Sequence, residues 1–192
     1  MAAATLEAGV EHIERALGHR MGPGGAHPHM GTHNRLSGLG GGEYLEVIAA
    51  DPGALPPNRP RWFDLDRRAG PPRIGNWIVR TDDLGALVQR HPGAGRPITL
   101  TRGAYRWRMA VPDDGILPYD GCFPAVIEWL SAPPAFADVG LRMIGLTLAH
   151  PDADDLAGIL SDLVDDSRIR IERGPPRLTA SIETPDGVRT LT

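Results

Sequence analysis

A chain of 192 residues with 41% hydrophobic content is long enough for one fairly large domain or two small ones, and it is not disordered in composition. Its 24 glycines and 19 prolines point to short strands and loops rather than a long helical bundle. The net charge of -4, and basic residues that are all arginine and form no block, exclude a general nucleic-acid binder. A single cysteine, Cys122, excludes an intramolecular disulfide and suits a reducing cytoplasm. The opening residues carry neither a basic segment nor an apolar run, so no secretory leader is expected, and no stretch approaches the roughly 20 apolar residues that cross a bilayer.

In chain order, Leu6, Val10, Ile13 and Leu17 fall at helical spacing between Thr5 and Gly18 and predict a first helix. Asp82-Asp83 before Leu84, Leu87 and Val88 marks a second helix, and Asp152 to Asp155 before Leu156, Ile159, Leu160, Leu163 and Val164 marks a third. Ile74 to Arg80 and Leu141 to Ala149 read as the strands that precede the second and third helices. Aligning Thr5-Leu6-x-Ala8-x-Val10 with Asp83-Leu84-x-Ala86-x-Val88 brings two later strands into correspondence, Tyr44-Leu45-Glu46-Val47-Ile48 and Val126-Ile127-Glu128-Trp129-Leu130. Each is apolar with one central glutamate. Thr32 to Leu39 in the first unit, and Ile98 to Thr101 with Tyr105 to Val111 in the second, supply the intervening strands, so the repeated unit is β-α-β-β-β. The competing reading is a contiguous α+β sheet with accidental similarity.

The expected fold is therefore α+β, with paired βαβββ modules over 1–52 and 73–132 joined by a linker over 53–72. The first module lacks its first strand. A partial third β-α-β-β unit over 141–192, with strands near Arg168 to Glu172, Arg177 to Glu183 and Val188 to Leu191, packs on the same domain. The missing strand would leave backbone groups unpaired, which predicts either a start further upstream or a homodimer whose partner covers the edge.

This modular pattern is that of the vicinal oxygen chelate superfamily, and the local wording resembles a glyoxalase-like family within it. The residues that carry the resemblance are Gly25 through His27-Pro28, Met30-Gly31-Thr32-His33-Asn34, Gly42-x-Tyr44-Leu45-Glu46-Val47-Ile48, Pro60-Arg61-Trp62-Phe63, Trp77 to Leu84 and Ile127-Glu128-Trp129. The resemblance implies a cleft between curved sheets. It also implies, in metal-dependent members, a histidine from the first strand of each module and a glutamate from the last. Glu46 and Glu128 match the glutamate positions; Asn76 or Trp77 stands where the second module would carry histidine, and the first module lacks the strand.

Glu46 and Glu128 are accordingly the candidate catalytic residues and the candidate ligands of a divalent metal whose identity stays open, with His27 or His33 as further ligands from the H-x-H-x3-H cluster His27, His29 and His33. His33 and Asn34 are candidate substrate contacts. So are Trp77, which can stack a planar ligand, and Arg106 and Arg108, which share a strand face and suit a carboxylate. The alternative roles are a solvated or arginine-paired carboxylate for each glutamate, a hydrated glycine-rich loop for the histidines and an outer face for the two arginines. No G-x-G-x-x-G loop or Walker lysine is present, so no nucleotide cofactor is expected. Two functions follow from the resemblance. One is a small-molecule enzyme acting on a vicinal-oxygen or carboxylate-bearing metabolite. The other is a non-catalytic sequestering protein of the bleomycin-resistance kind.

Overall fold

A computed structural model describes all 192 residues. Helix α1 (Leu6–Leu17) opens on Thr5, whose hydroxyl accepts from the Ala8 amide, and closes on Gly18, whose φ of 64° is the left-handed conformation glycine adopts without strain. Strands β1 (Gly24–His27), β2 (Thr32–Gly38) and β3 (Tyr44–Ala50) follow as an antiparallel sheet in the order β1-β2-β3. The glycine-rich stretch expected as a loop is thus partly β1, paired Gly25 to Asn34 and His27 to Thr32.

The second unit runs β4 (Ile78–Arg80), α2 (Leu84–Arg90), β5 (Arg96–Arg102), β6 (Tyr105–Val111) and β7 (Ala125–Trp129). Its sheet order is β4-β7-β6-β5, with β4 parallel to β7. The first unit has the same plan, because Met1 to Ala3 lies along β3 where a first strand belongs. Ala2 bridges Ile48 in parallel, with Ile48 N–H donating to the Met1 carbonyl at 3.0 Å and Ala3 N–H to the Ile48 carbonyl at 3.1 Å. On its other side Ala2 exchanges two hydrogen bonds with Arg73, at 2.8 and 3.1 Å. The edge expected to stand open is therefore covered at this point within the chain, and the argument for a second copy drawn from it no longer holds.

The third unit comprises β8 (Arg142–His150), α3 (Ala153–Leu160), β9 (Ile169–Arg173), β10 (Arg177–Thr184) and β11 (Gly187–Leu191). It has the strand content read from the sequence but a different order, β11-β10-β8-β9, in which β8 is central and parallel to β9. No helix is long and apolar enough to cross a membrane.

Three apolar clusters follow from these faces. The largest joins Ile13 and Leu17 of α1 and Val47 of β3 to Leu146, Leu148, Leu156, Leu178 and Ile182 of the third unit. Full burial of one such Leu or Ile side chain contributes about 1.5–3 kcal/mol. A second lies between the first two sheets, around Ile48, Trp62, Leu100, Trp107, Met109 and Ile127. The third sits under α2, where Leu84 and Leu87 meet Ala110, Phe123 and Val126. The linker is no passive tether: Trp62, Phe63 and Leu65 are buried in the second cluster.

Helix α1 approaches β3 closely enough that a Cβ on Gly9 would stand 2.5 Å from Val47 Cγ1 and 2.8 Å from Ala3 Cβ, whereas one on Gly158 of α3 would meet nothing within 4 Å. Gly9→Leu is expected to cost about 1–3 kcal/mol by overpacking. Gly158→Ala is expected to stabilise by about 0.5–1 kcal/mol through helix propensity. Urea unfolding midpoints of the two variants check the pair, and equal effects would contradict the packing described.

Candidate functional site

The first two sheets face each other across a narrow cavity of about 40 Å³. The first sheet contributes His27, Asn34, Leu36, Tyr44 and Glu46, and the second Ile78, Arg102, Trp107, Met109, Ile127 and Trp129; Trp62 and Phe63 of the linker and Pro134 complete the lining. Strand alternation decides this set. Tyr44, Glu46 and Ile48 share one face of β3, while Leu45 and Val47 turn toward α1.

Asn34 sits at the centre. Its Oδ1 accepts from the Gly25 amide at 2.9 Å and from the Arg102 guanidinium at 3.2 Å, two groups that can only donate. That fixes the orientation of the amide, and its Nδ2 then donates to Glu46 Oε1 at 2.5 Å. The glycines of β1 make room for the arginine, since a Cβ on Gly25 would stand 3.0 Å from Arg102 Cδ.

His27 is fixed by the same logic. Arg102 donates to its Nε2 at 3.2 Å, so Nε2 is an unprotonated acceptor and the proton resides on Nδ1, which donates to Thr32 Oγ1 at 3.1 Å. Thr32 Oγ1 also accepts from Trp62 Nε1 at 3.3 Å. Burial, with the positive charge of Arg102 close by, depresses the imidazole pKa to about 3 and keeps it neutral.

Burial raises the pKa of Glu46 above the ordinary carboxylate range, against the opposing pull of the Asn34 hydrogen bond, the amino terminus and Arg102. The residue as a whole is half-buried. Only Oε1 is engaged by a protein donor. Tyr44 beside it is also raised, by burial first and then by Glu46.

The remaining sequence candidates lie elsewhere. Glu128 is paired with Arg108, whose Nε donates to Oε2 at 2.7 Å. The residues β7 turns into the cavity are its neighbours Ile127 and Trp129, while Val126, on the same face as Glu128, packs under α2. The expectation that Glu46 and Glu128 converge is therefore corrected: the two units correspond in topology, but their glutamates occupy opposite faces. Arg106 is exposed, and Trp77 packs against the large core and donates to the Cys122 carbonyl at 2.8 Å. His33 neighbours Asn34 on β2 but is not part of the lining, and its Nε2 is buried without a partner. His29 is exposed on the turn between β1 and β2.

No three His, Cys, Asp or Glu side chains converge anywhere in the chain. In the cavity the donors His27 and Glu46 have the guanidinium of Arg102 among them, a charge that opposes a divalent cation. The four-ligand set implied by the resemblance does not fit these residues.

The sequence model of the glyoxalase-like domain matches residues 1–164. The chain belongs to the glyoxalase-like domain family. A crystal structure of a hypothetical protein from Staphylococcus aureus shares the fold, with a TM-score of 0.54 at 14% identity over 82% of this chain and 78% of that one. No protein of curated function matches the sequence. A glyoxalase-like fold brings with it a small-molecule cleft, in a superfamily that includes both enzymes and binding proteins.

Arg102 and Trp107 escaped the sequence reading. Arg102 could have been found, because it continues the alternation of Ile98 and Leu100 along β5, and a charge that ends an inward-facing row lies at a cleft mouth.

Because the folded-state pKa of Glu46 is raised, its proton is held more tightly in the folded protein, and its contribution to stability is present at acid pH and lost as pH rises from the ordinary carboxylate value through the raised one. The stability difference between wild type and Glu46→Gln should therefore shift against wild type across that window, with the His27 contribution common to both and cancelling. Melting temperatures at stepped pH test this, and a difference that does not change with pH would show Glu46 to have an ordinary pKa.

Proposed function

We propose that the cleft binds a small metabolite bearing a carboxylate or adjacent oxygens, and that Glu46 moves a proton on it. The observation that carries this reading is Glu46 itself: a carboxylate inside the cleft with a raised pKa, one oxygen held by Asn34 and the other without a protein donor. A carboxyl with a raised pKa holds its proton more tightly than an ordinary one and is a stronger base once ionised, which suits it to proton transfer.

Arg102 supplies the second function. It can hold a substrate carboxylate or a developing enolate oxygen, and the tryptophans around it exclude water and strengthen that attraction. His27, neutral and fixed in one tautomer, positions Arg102 through their hydrogen bond. Because the guanidinium provides the positive charge, no step needs a metal. At about 40 Å³ the cavity is smaller than a metabolite, so binding widens it.

A second reading, sequestration without turnover, is favoured by the lack of a second acid-base group, since Glu128 is committed to Arg108. The lone, buried Cys122 is compatible with a reducing compartment such as the cytoplasm.

Glu46→Gln, screened with small α-hydroxy and α-keto acids, is expected to lose about 10²-fold or more in turnover while retaining binding. Glu128→Gln should leave turnover within a few-fold and act on stability alone, and elemental analysis should find both variants and wild type equally free of stoichiometric divalent metal. Tight binding with no product in wild type would establish the sequestering function, and metal lost on Glu46 substitution would overturn the guanidinium-based reading.

A further inference from the structure

A second and larger cavity, about 370 Å³, lies outside the cleft where the linker, the loop before β7 and the third unit meet. Its charged lining is dominated by Arg67, Arg68, Arg73 and Arg177, against Asp64, Asp120 and the chain-terminal Thr192. Arg67 and Asp64 neutralise each other through two hydrogen bonds of 2.6 and 3.0 Å. Arg68, Arg73 and Arg177 make no ion pair. Arg68 is half-buried with its Nε buried and unpartnered, its one hydrogen bond going to the Pro71 carbonyl. Burial first and then the charge of Arg73 lower its pKa, and Asp64, already paired with Arg67, opposes them.

The backbone around this cavity is built against its own preference. The chain has four non-glycine residues in left-handed conformation, Phe63, Asp64, Tyr119 and Asp120, with φ between 52° and 60°. Three of them, Phe63, Asp64 and Asp120, line the cavity. Strain of this kind persists where packing over-determines it and clusters at ligand sites. Here the turn at Phe63 lets one aromatic ring form a wall of both cavities while it stacks on Trp62 at 5.0 Å between centroids. Leu117 and Leu178, both buried, and Ile74 add an apolar surface beside the arginines.

We propose that this cavity is a binding site for a small organic anion, its carboxylate or phosphate held by Arg68 and Arg73 and its apolar body resting on Phe63, Leu117 and Leu178. Guanidinium groups match the paired oxygens of either anion, and mutual repulsion between two of them is relieved when a single anion lies between. The site is separate from Glu46 and does not depend on what the cleft does. Its cavity matches the size of small-molecule sites, which the closed cleft does not.

Titration of the full chain with phenyl phosphate and with benzoate, followed by calorimetry and by amide chemical shifts, tests this. Saturable binding of at least one probe is expected, with shifts concentrated at Gly75, Ile116 and Leu178, and affinity about tenfold or more weaker in R68Q/R73Q. The tighter of the two probes tells phosphate from carboxylate recognition. Should the double variant fold poorly, the shift map of the wild type decides alone. No saturable binding of either probe, or shifts confined to the cleft around Trp107 and Trp129, would overturn the assignment.

Discussion

Asn34 ties together three elements with one side chain: it accepts from the Gly25 amide of β1 and from Arg102 of the second sheet, and it donates to Glu46 of β3. An amide with all these groups satisfied can be buried at little cost, whereas any one of them left alone in the cleft would carry the full penalty of an unpaired polar atom. The network therefore specifies how close the two sheets come and which side chains may stand between them. It also makes Glu46 what it is. The carboxylate is buried because the modules close on it, and it stays titratable because Asn34 stabilises one oxygen only.

The third unit bears on function by a different route. It adds nothing to the cleft, but its β11 packs on α1, and Leu148, Leu178, Ile182 and Leu191 join Ile13 and Leu17 of that helix in one core. With α1 held on both sides, β3 cannot shift relative to β2, and the Asn34–Glu46 contact keeps its length. The same docking encloses the arginine-lined cavity, which exists only because β10 begins beside the linker. Its β8-central strand order removes it from the modular pattern, and a role as support with a site of its own accounts for that departure better than a degenerate third module.

The sequence disclosed the elements well and the faces less well. Helices announced themselves by period and caps, and Glu46 was legible because β3 carries a polar residue on a face whose other members, Tyr44 and Ile48, are large. Glu128 misled because β7 is covered on both sides, by the cleft and by α2, so its apolar residues run without alternation and nothing in the sequence tells which face the glutamate takes. A one-residue displacement in aligning the two repeats was enough to exchange Ile127 for Glu128. Arg108 decides the matter only in three dimensions, where it stands opposite Glu128 in the β6–β7 register. The glycines of β1 were equally ambiguous: they suggest a loop, whereas a Cβ on Gly24 would stand 1.8 Å from the Asn34 carbonyl oxygen and one on Gly25 3.0 Å from Arg102 Cδ, close approaches that explain why a strand there lacks side chains.

In the expected site a divalent cation would polarise the substrate's oxygens and two glutamates would hold it. In the proposed one the positive charge is the guanidinium of Arg102. A guanidinium is delocalised and fixed by its own hydrogen bonds to Asn34 and His27, so it can stabilise an oxyanion without being released at low metal or displaced by chelators. It is a weaker polarising group than a bare cation, so the proposed proton transfer suits substrates whose proton is already acidic, those with the carbon flanked by a carbonyl or carboxylate. The second glutamate fits the same picture: beside Glu46 another buried carboxylate would need a cation to balance it, whereas on the far face Glu128 has Arg108 for its partner.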